Sequence, residues 1–270
     1  MKKGENMNNY KGAVFFDFDG TLVDEREKLF VPTPETQKSV RRLHENGYMV
    51  GLATGRAKCY VPETYIDFDC YVTSNGAYAA VGDNIIADEV IETDELREIF
   101  KFFEDNNMGY MTESNEQCYY STSCYEQFEE MIEKFNISTT CFSPMPEIEK
   151  VKANKMMFTY YDEDSLERLR KKFGDKYYIT MHRHDPSGDL GIKNVSKAEG
   201  IRQVIREFNL DISDTYAFGD GENDYEMLAT VGHGIVMGHH SPKLDGIAEY
   251  ITDTVINEGV TKGLKKFGLI

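Results

Sequence analysis

Three short apolar runs organise this sequence: Val14-Phe15-Phe16, residues 48–53 and residues 215–218, each ending at a polar or glycine-rich cluster. Short, nearly unbroken apolar stretches suit strands that are covered on both faces. Between them the period changes. Val40 and Leu43 lie on a helix that Thr33-Pro34-Glu35 opens with a capping residue, a first-turn proline and a first-turn acid, and that Gly47 closes. Lys197 opens another helix, with Ile201, Val204, Ile205 and Phe208 on one face. A short helix through Met227-Leu228 then precedes strands at 234–237 and near 250–252. Alternation of strand and helix at both ends of the chain predicts an α/β fold, a doubly wound, Rossmann-like parallel sheet. In such sheets ligands gather beyond the carboxyl ends of the strands.

The middle of the chain has a different rhythm. About 140 residues separate Arg56 from Lys197, far more than one connection in an α/β unit requires. Leu96, Ile99, Phe100 and Phe103 recur at helical spacing, as do Phe128, Met131, Ile132 and Phe135, and then Leu166, Leu169 and Phe173. Strand-like runs occupy 117–122, 155–161 and 176–182. A second, smaller α/β domain is therefore expected at 82–187. Asp83-Asn84 and Pro186-Ser187-Gly188 supply turn chemistry where its two linkers should lie. Residues 1–81 and 188–270 then form the core, with polar residues 1–9 read as a disordered leader.

Composition narrows the function. With 270 residues, 40% of them hydrophobic and 12% aromatic, two moderate domains can each bury a core. No apolar run approaches the ~20 residues needed to cross a bilayer, and the polar start has no signal-peptide core, so a cytoplasmic protein is expected. A net charge of −17 argues against nucleic acid as a partner. The same charge repels a phosphate ester at long range, unless a bound divalent cation and a well-placed lysine reverse the field locally. The five cysteines include no Cys-x-x-Cys, so free thiols are expected, and the usual zinc spacing is absent. The run His182-Arg183-His184-Asp185 reads as a strand end rather than a metal site.

The chemistry concentrates where the apolar runs stop. In Asp17-Phe18-Asp19-Gly20 two carboxylates at i and i+2 share one side of an extended backbone, and Gly20 allows a tight turn whose amides can face an anion. One carboxylate can attack or hold a metal while the other moves protons; an acidic turn without chemistry is the plain alternative. Thr54-Gly55-Arg56 follows the second run, and Lys197 follows the turn Lys193-Asn194-Val195-Ser196. Gly219-Asp220-Gly221-Glu222-Asn223-Asp224 closes the third run. All four clusters stand at strand ends or helix starts, where amides and side chains converge on anions.

In order and composition these four clusters resemble the motifs of the haloacid dehalogenase superfamily of phosphohydrolases. The long insert after Thr54-Gly55-Arg56 is similar to the large α/β cap of its Cof-type branch. The resemblance runs from about Lys11 over nearly the whole chain and is weakest inside the insert. It implies that Asp17 is the nucleophile and Asp19 the acid and base. It also implies Mg²⁺ held by the side chains of Asp17 and Asp220 and the backbone carbonyl of Asp19. Asp224 would lie in the outer shell or bind through water, unless it is only an acid favoured at a helix start. Thr54, the Gly55 amide and Asn223 would hold phosphoryl oxygens, and Lys197 would neutralise nucleophile and phosphoryl charge. Arg56 either holds substrate near the cap or pairs with an acid. Thr73-Ser74-Asn75-Gly76-Ala77 resembles the family's loop entering the cap and is read as structural, with Asn75 close to the site. Gly238-His239-His240 departs from the family's common Gly-Asn-Ala without removing a predicted catalytic group.

The expectation is a Mg²⁺-dependent phosphatase of a small phosphorylated metabolite such as a sugar phosphate, a monomer or weak homodimer, with no nucleic-acid or membrane partner. A phosphomutase of the phosphomannomutase type has a similar core and cap and stands as the alternative, followed by a non-catalytic metabolite-binding protein on the same scaffold. An activity like that of P-type ATPases is excluded by the lack of apolar spans and by Asp19, where those pumps carry lysine.

Overall fold

The computed structural model describes residues 10–182 and 186–270. The leader 1–9 and Arg183, His184 and Asp185 lie outside the described residues. The chain divides into two compact units: Met1–Gly55, Glu63–Ala87 and Ser196–Ile270 in the larger, Arg56–Pro62 and Asp88–Val195 in the smaller.

The chain begins the larger unit with β1 (Gly12–Phe16), α1 (Pro34–Glu45), β2 (Tyr48–Ala53), β3 (Cys70–Thr73), β4 (Tyr78–Val81) and β5 (Asn84–Asp88). The smaller unit is built from α2 (Thr93–Asp105), β6 (Gly109–Glu113), β7 (Cys118–Tyr120), α3 (Tyr125–Phe135), β8 (Phe142–Pro144), β9 (Lys155–Thr159), α4 (Glu163–Phe173), β10 (Tyr177–Met181) and β11 (Ser187–Ile192). The chain then completes the larger unit with α5 (Lys197–Glu207), β12 (Thr215–Gly219), α6 (Tyr225–Thr230), β13 (His233–Val236), β14 (Tyr250–Ile251) and α7 (Gly259–Lys266).

The larger unit is a sheet in the order β14-β13-β12-β1-β2-β3-β4-β5, parallel from β14 through β3 and antiparallel between β3 and β4. Its two faces are covered by different helices. Phe15 and Ala217 share a core with Ile201 and Val204 of α5 and Met227 and Leu228 of α6. The next residues along those strands, Phe16 and Phe218, turn to the other face and stack with ring centroids 5.2 Å apart, a pairing worth about 0.5–1.5 kcal/mol beyond the area it buries. On that face α7 brings Gly263 so near Phe218 that an added Cβ would sit 2.5 Å from the ring. This is the doubly wound α/β architecture that the alternation predicts. The register matters most for the site. Phe16 pairs with Phe218 on one side and Leu52 on the other, so Asp17, Asp220 and Thr54 emerge a residue or two beyond a common level.

The smaller unit is a mostly antiparallel sheet in the order β10-β11-β9-β6-β7-β8. Alternation along its strands sorts the side chains to two faces. Tyr110, Met156 and Phe158 pack with Leu96, Ile99 and Phe103 of α2 and Leu166, Leu169 and Phe173 of α4. Met111, Cys118 and Met157 face the other way, onto Ala57, Tyr60, Phe128, Ile137 and Cys141.

The boundaries at 82 and 187 are corrected by this structure. Gly82, at φ +54°, is part of the turn between β4 and β5, both in the larger sheet. Pro186-Ser187-Gly188 leads into β11, whose residues pair with β9 and β10 in the smaller sheet. The larger unit instead ends at Ala87 and resumes at Ser196, and Arg56–Pro62 joins the smaller unit. Turn residues serve a hairpin as well as a linker, and local composition does not separate the two. Strands β3 to β6, β8 and β11 are also absent from the sequence reading, because they are short and lack a clear period. Among the described residues no helix is long and apolar enough to cross a membrane.

Candidate active site

The larger unit brings Asp17, Asp220, Asp224 and Lys197 together at the carboxyl ends of β1 and β12 and at the start of α5. Asp17 follows β1 directly, and its amide donates to the Phe218 carbonyl at 2.9 Å, which holds it against β12. Lys197 is the first residue of α5, whose start is capped by the Ser196 side chain accepting from the Glu199 amide. A helix N-terminus disfavours a cation, and Lys197 is almost wholly buried there. Two carboxylates compensate. Lys197 Nζ donates to Asp17 Oδ1 at 2.5 Å and to Asp224 Oδ1 at 2.7 Å.

Asp224 has a structural task as well. Its Oδ2 accepts from the amides of Asp220 and Gly221, both at 2.9 Å, closing the loop after β12 around a fully buried carboxylate. With one oxygen on Lys197 and the other on two amides, most of its acceptor capacity is already used. Asp220 is held from three directions. The Thr21 hydroxyl donates to its Oδ1 at 3.3 Å, the Ser241 amide to its carbonyl at 2.8 Å, and its own amide goes to Asp224. Ser241 follows Gly238-His239-His240, and in that loop His240 Nδ1 lies 2.7 Å from the Met237 carbonyl and Nε2 2.9 Å from Asp245 Oδ1. The departure at Gly238-His239-His240 thus has a local hydrogen-bonding role.

Carboxylate oxygens of Asp17, Asp220 and Asp224 all lie within 4.8 Å of one another. Three carboxylates face one ammonium, so the buried cluster carries an excess of negative charge when all are ionised. Burial pushes Asp17 up to about 7, with repulsion from Asp224 adding and attraction to Lys197 opposing. Burial and the charges of Asp17 and Asp224 push Asp220 up to about 9. Burial alone would lower Lys197, but Asp17 and Asp224 outweigh it and hold the ammonium above its ordinary range. A donor set of hard carboxylate oxygens with surplus negative charge fits a divalent cation of the Mg²⁺ class.

The remaining candidates divide. Asp19 is half-buried on the turn after Asp17, bridged to Val23. Thr54 is buried at the end of β2; its amide donates to the Val72 carbonyl and its carbonyl accepts from the Asn75 amide. Asn223 is exposed, and its Nδ2 lies 3.4 Å from Asn75 Oδ1. A Cβ on Gly55 would meet that same oxygen at 3.1 Å. Asn75 therefore ties together the loops after β2, β3 and β12. The turn it sits in is fixed by Gly76, at φ +96°, where an added Cβ would fall 2.0 Å from the Ser196 carbonyl at the start of α5. Arg56 is almost wholly buried. It belongs to the smaller unit, where its charge acts on the Tyr60 hydroxyl. Thr21 escaped the sequence reading altogether, since a threonine in a turn carries no signal of a partner 199 positions away.

A sequence profile of the haloacid dehalogenase-like hydrolases matches residues 14–264. The chain belongs to this family. It is a hydrolase of the phosphatase type within it. Among its relatives is the HMP-PP phosphatase of Serratia proteamaculans, 27% identical over 86% of this chain and 85% of that protein. A solved structure of a hypothetical protein from Geobacillus kaustophilus superposes with a TM-score of 0.83, at 29% identity over 96% of this chain and 100% of the other. The subclass IIB sugar phosphatase BT4131 does so with a TM-score of 0.82, at 25% identity over 96% and 100%. Phosphatases of the haloacid dehalogenase family generally use a divalent metal, in keeping with the acidic cluster.

Within this haloacid dehalogenase core, Gly20 makes a direct test of the site's geometry. Its φ is +84°, and an added Cβ would lie 2.3 Å from Asp220 Oδ2. Gly20→Ala must both adopt a left-handed backbone and displace that carboxylate. Phosphatase turnover is expected to fall on the order of 10²-fold, as for a misplacement of about 1 Å. The apparent melting temperature should fall too, with strain of about 1–2 kcal/mol. Unchanged turnover would show that the Asp220 position is not critical.

Proposed function

We propose that this protein is a Mg²⁺-dependent phosphatase that hydrolyses a small phosphorylated metabolite of the sugar phosphate kind through a phosphoenzyme on Asp17. The observation that carries the proposal is the convergence of Asp17, Asp220 and Asp224 on Lys197 at the carboxyl ends of β1 and β12. The sugar phosphatase BT4131, similar along its whole length, supports the substrate class.

Lys197 fixes the orientation of the Asp17 carboxylate through Oδ1. An oxygen of Asp17 attacks phosphorus, the ester P–O bond breaks, and a protonated Asp19 gives its proton to the departing alkoxide. Asp19 then removes a proton from water, which attacks the acyl phosphate and releases inorganic phosphate and free Asp17. Asp17, Asp220 and the Asp19 carbonyl would hold Mg²⁺, which when bound supplies positive charge against the carboxylates and the phosphoryl oxygens. Thr54, the Gly55 amide and Asn223 would hold those oxygens from the loops that Asn75 joins. Asp224 acts in this reading as the anchor of Lys197 and of the loop carrying Asp220.

A panel of phosphorylated metabolites assayed for phosphate release with Mg²⁺ tests the activity, and ¹⁸O-water tests its outcome. Each released phosphate is expected to carry one heavy oxygen. Isomerised hexose phosphate with little free phosphate, and dependence on a bisphosphate activator, would establish a mutase instead.

A further inference from the structure

The smaller unit brings together three cysteines that are distant in sequence. Cys59 lies in the segment Arg56–Pro62, Cys118 begins β7, and Cys141 precedes β8. Their sulfur atoms all lie within 4.8 Å of one another, with Cys59 and Cys118 Sγ 3.5 Å apart. Cys118 and Cys141 are buried and Cys59 is partly exposed. The surrounding side chains are Ala57, Tyr60, Met111, Phe128, Ile137 and Met157.

We infer that Cys59, Cys118 and Cys141 form a binding site for a thiophilic divalent cation of the zinc class. Zinc–sulfur bonds of about 2.3 Å in a tetrahedron set sulfurs roughly 3.8 Å apart. The spacing of Cys59 and Cys118 is close to that edge and far from the ~2.05 Å of a disulfide. Three thiolates are a soft donor set, which separates this site from the hard carboxylate oxygens around Asp17. Three protein ligands leave a fourth tetrahedral position for water or an external thiol, and partly exposed Cys59 offers the route of entry. Binding converts three thiols to thiolates and releases three protons to solvent. A zinc ion against three thiolates leaves a single negative charge, which is easier to bury than the two left by monovalent copper. The expected consequence is structural. The ion would pin the segment that continues from Thr54-Gly55 onto β7 of the smaller sheet, adding to the apolar contacts there and to the Tyr60 hydroxyl, which donates to Glu113 Oε2 at 2.5 Å.

The test uses the reduced, full-length protein in buffer containing Mg²⁺, titrated with Cd²⁺ and, separately, with Co²⁺. Thiolate-to-metal charge-transfer absorption should saturate at one equivalent with each ion, and the Co²⁺ band should be displaced by Zn²⁺; the oxygen ligands around Asp17 give no such band. Cys59→Ser and Cys141→Ser should weaken binding at least about 100-fold, whereas Cys70→Ser, in the core of the larger unit, should not. Cys118→Ser risks misfolding, so the partly exposed Cys59 carries the test. No band at one equivalent, or an equal band in Cys59→Ser, would overturn the inference and leave three packed thiols. Peroxide-driven formation of a Cys59–Cys118 disulfide in a protein that retains no Zn²⁺ would overturn it in favour of a redox pair.

Discussion

Asp17→Asn is expected to lower turnover on the order of 10³-fold or more while making the cation-free protein no less stable than the wild type. The loss follows from the amide, which cannot attack phosphorus as a carboxylate does. The stability follows from charge. Asparagine has the same shape, Lys197 keeps Asp224 at 2.7 Å, and one negative charge leaves a cluster that holds too many. The opposed signs make the experiment decisive. A variant that lost activity by unfolding would lose both, whereas removal of the nucleophile loses only turnover. Rapid acid quench with a radiolabelled phosphate ester should trap label on the wild-type peptide containing Asp17 and none on the variant. Retention of a tenth of wild-type activity would refute the assignment.

Removal of divalent cation is expected to abolish turnover and to expose a pH dependence of stability that the cation hides. Unfolded, the Asp17 and Asp220 carboxyls titrate near 3.8; folded, burial followed by neighbouring carboxylate charge raises them to about 7 and about 9. Between those limits the native state binds more protons than the unfolded one. The contribution of these two groups is therefore fully present below about pH 4 and falls as pH rises toward about 9. In chelator, the melting temperature of the unfolding transition that reports the larger unit should drop from pH 6 to pH 8.5. Mg²⁺ at ~100 times its dissociation constant adds about 2.7 kcal/mol, a rise of roughly 5–10 °C for a unit of this size. Asp220→Asn should raise the cation-free melting temperature at pH 8.5 and remove most of the Mg²⁺ response. A melting temperature indifferent to both pH and Mg²⁺ in that range would contradict the proposed charge imbalance.

The sequence by itself determined the strands that end in Asp17, Thr54 and Asp220 and the helix that Lys197 opens, because each is announced by neighbouring residues. An apolar run ending in Asp-x-Asp-Gly, or a serine cap before a helical period, is a local pattern, and local spacing fixes which side chains leave a strand together. The parallel sheet followed from the alternation of such patterns, and family membership from their order. Only the tertiary structure decided the electrostatics. That Asp224 holds Lys197 and the loop amides, that Thr21 reaches Asp220, and that Asn75 joins three loops depend on approaches across as many as 199 positions. The pKa shifts at Asp17 and Asp220 are sums over burial and through-space charge, which no spacing along the chain encodes. The limits of the smaller unit were misplaced for a related reason: a turn that joins two strands of one sheet and a turn that links two units use the same residues. Arg56 shows the same limit, since adjacency to Gly55 says nothing about which compact unit the residue belongs to. Cys59, Cys118 and Cys141 lack every metal-binding spacing in sequence, and become a candidate site only because β7 and two loops of the smaller unit bring three sulfurs within 4.8 Å.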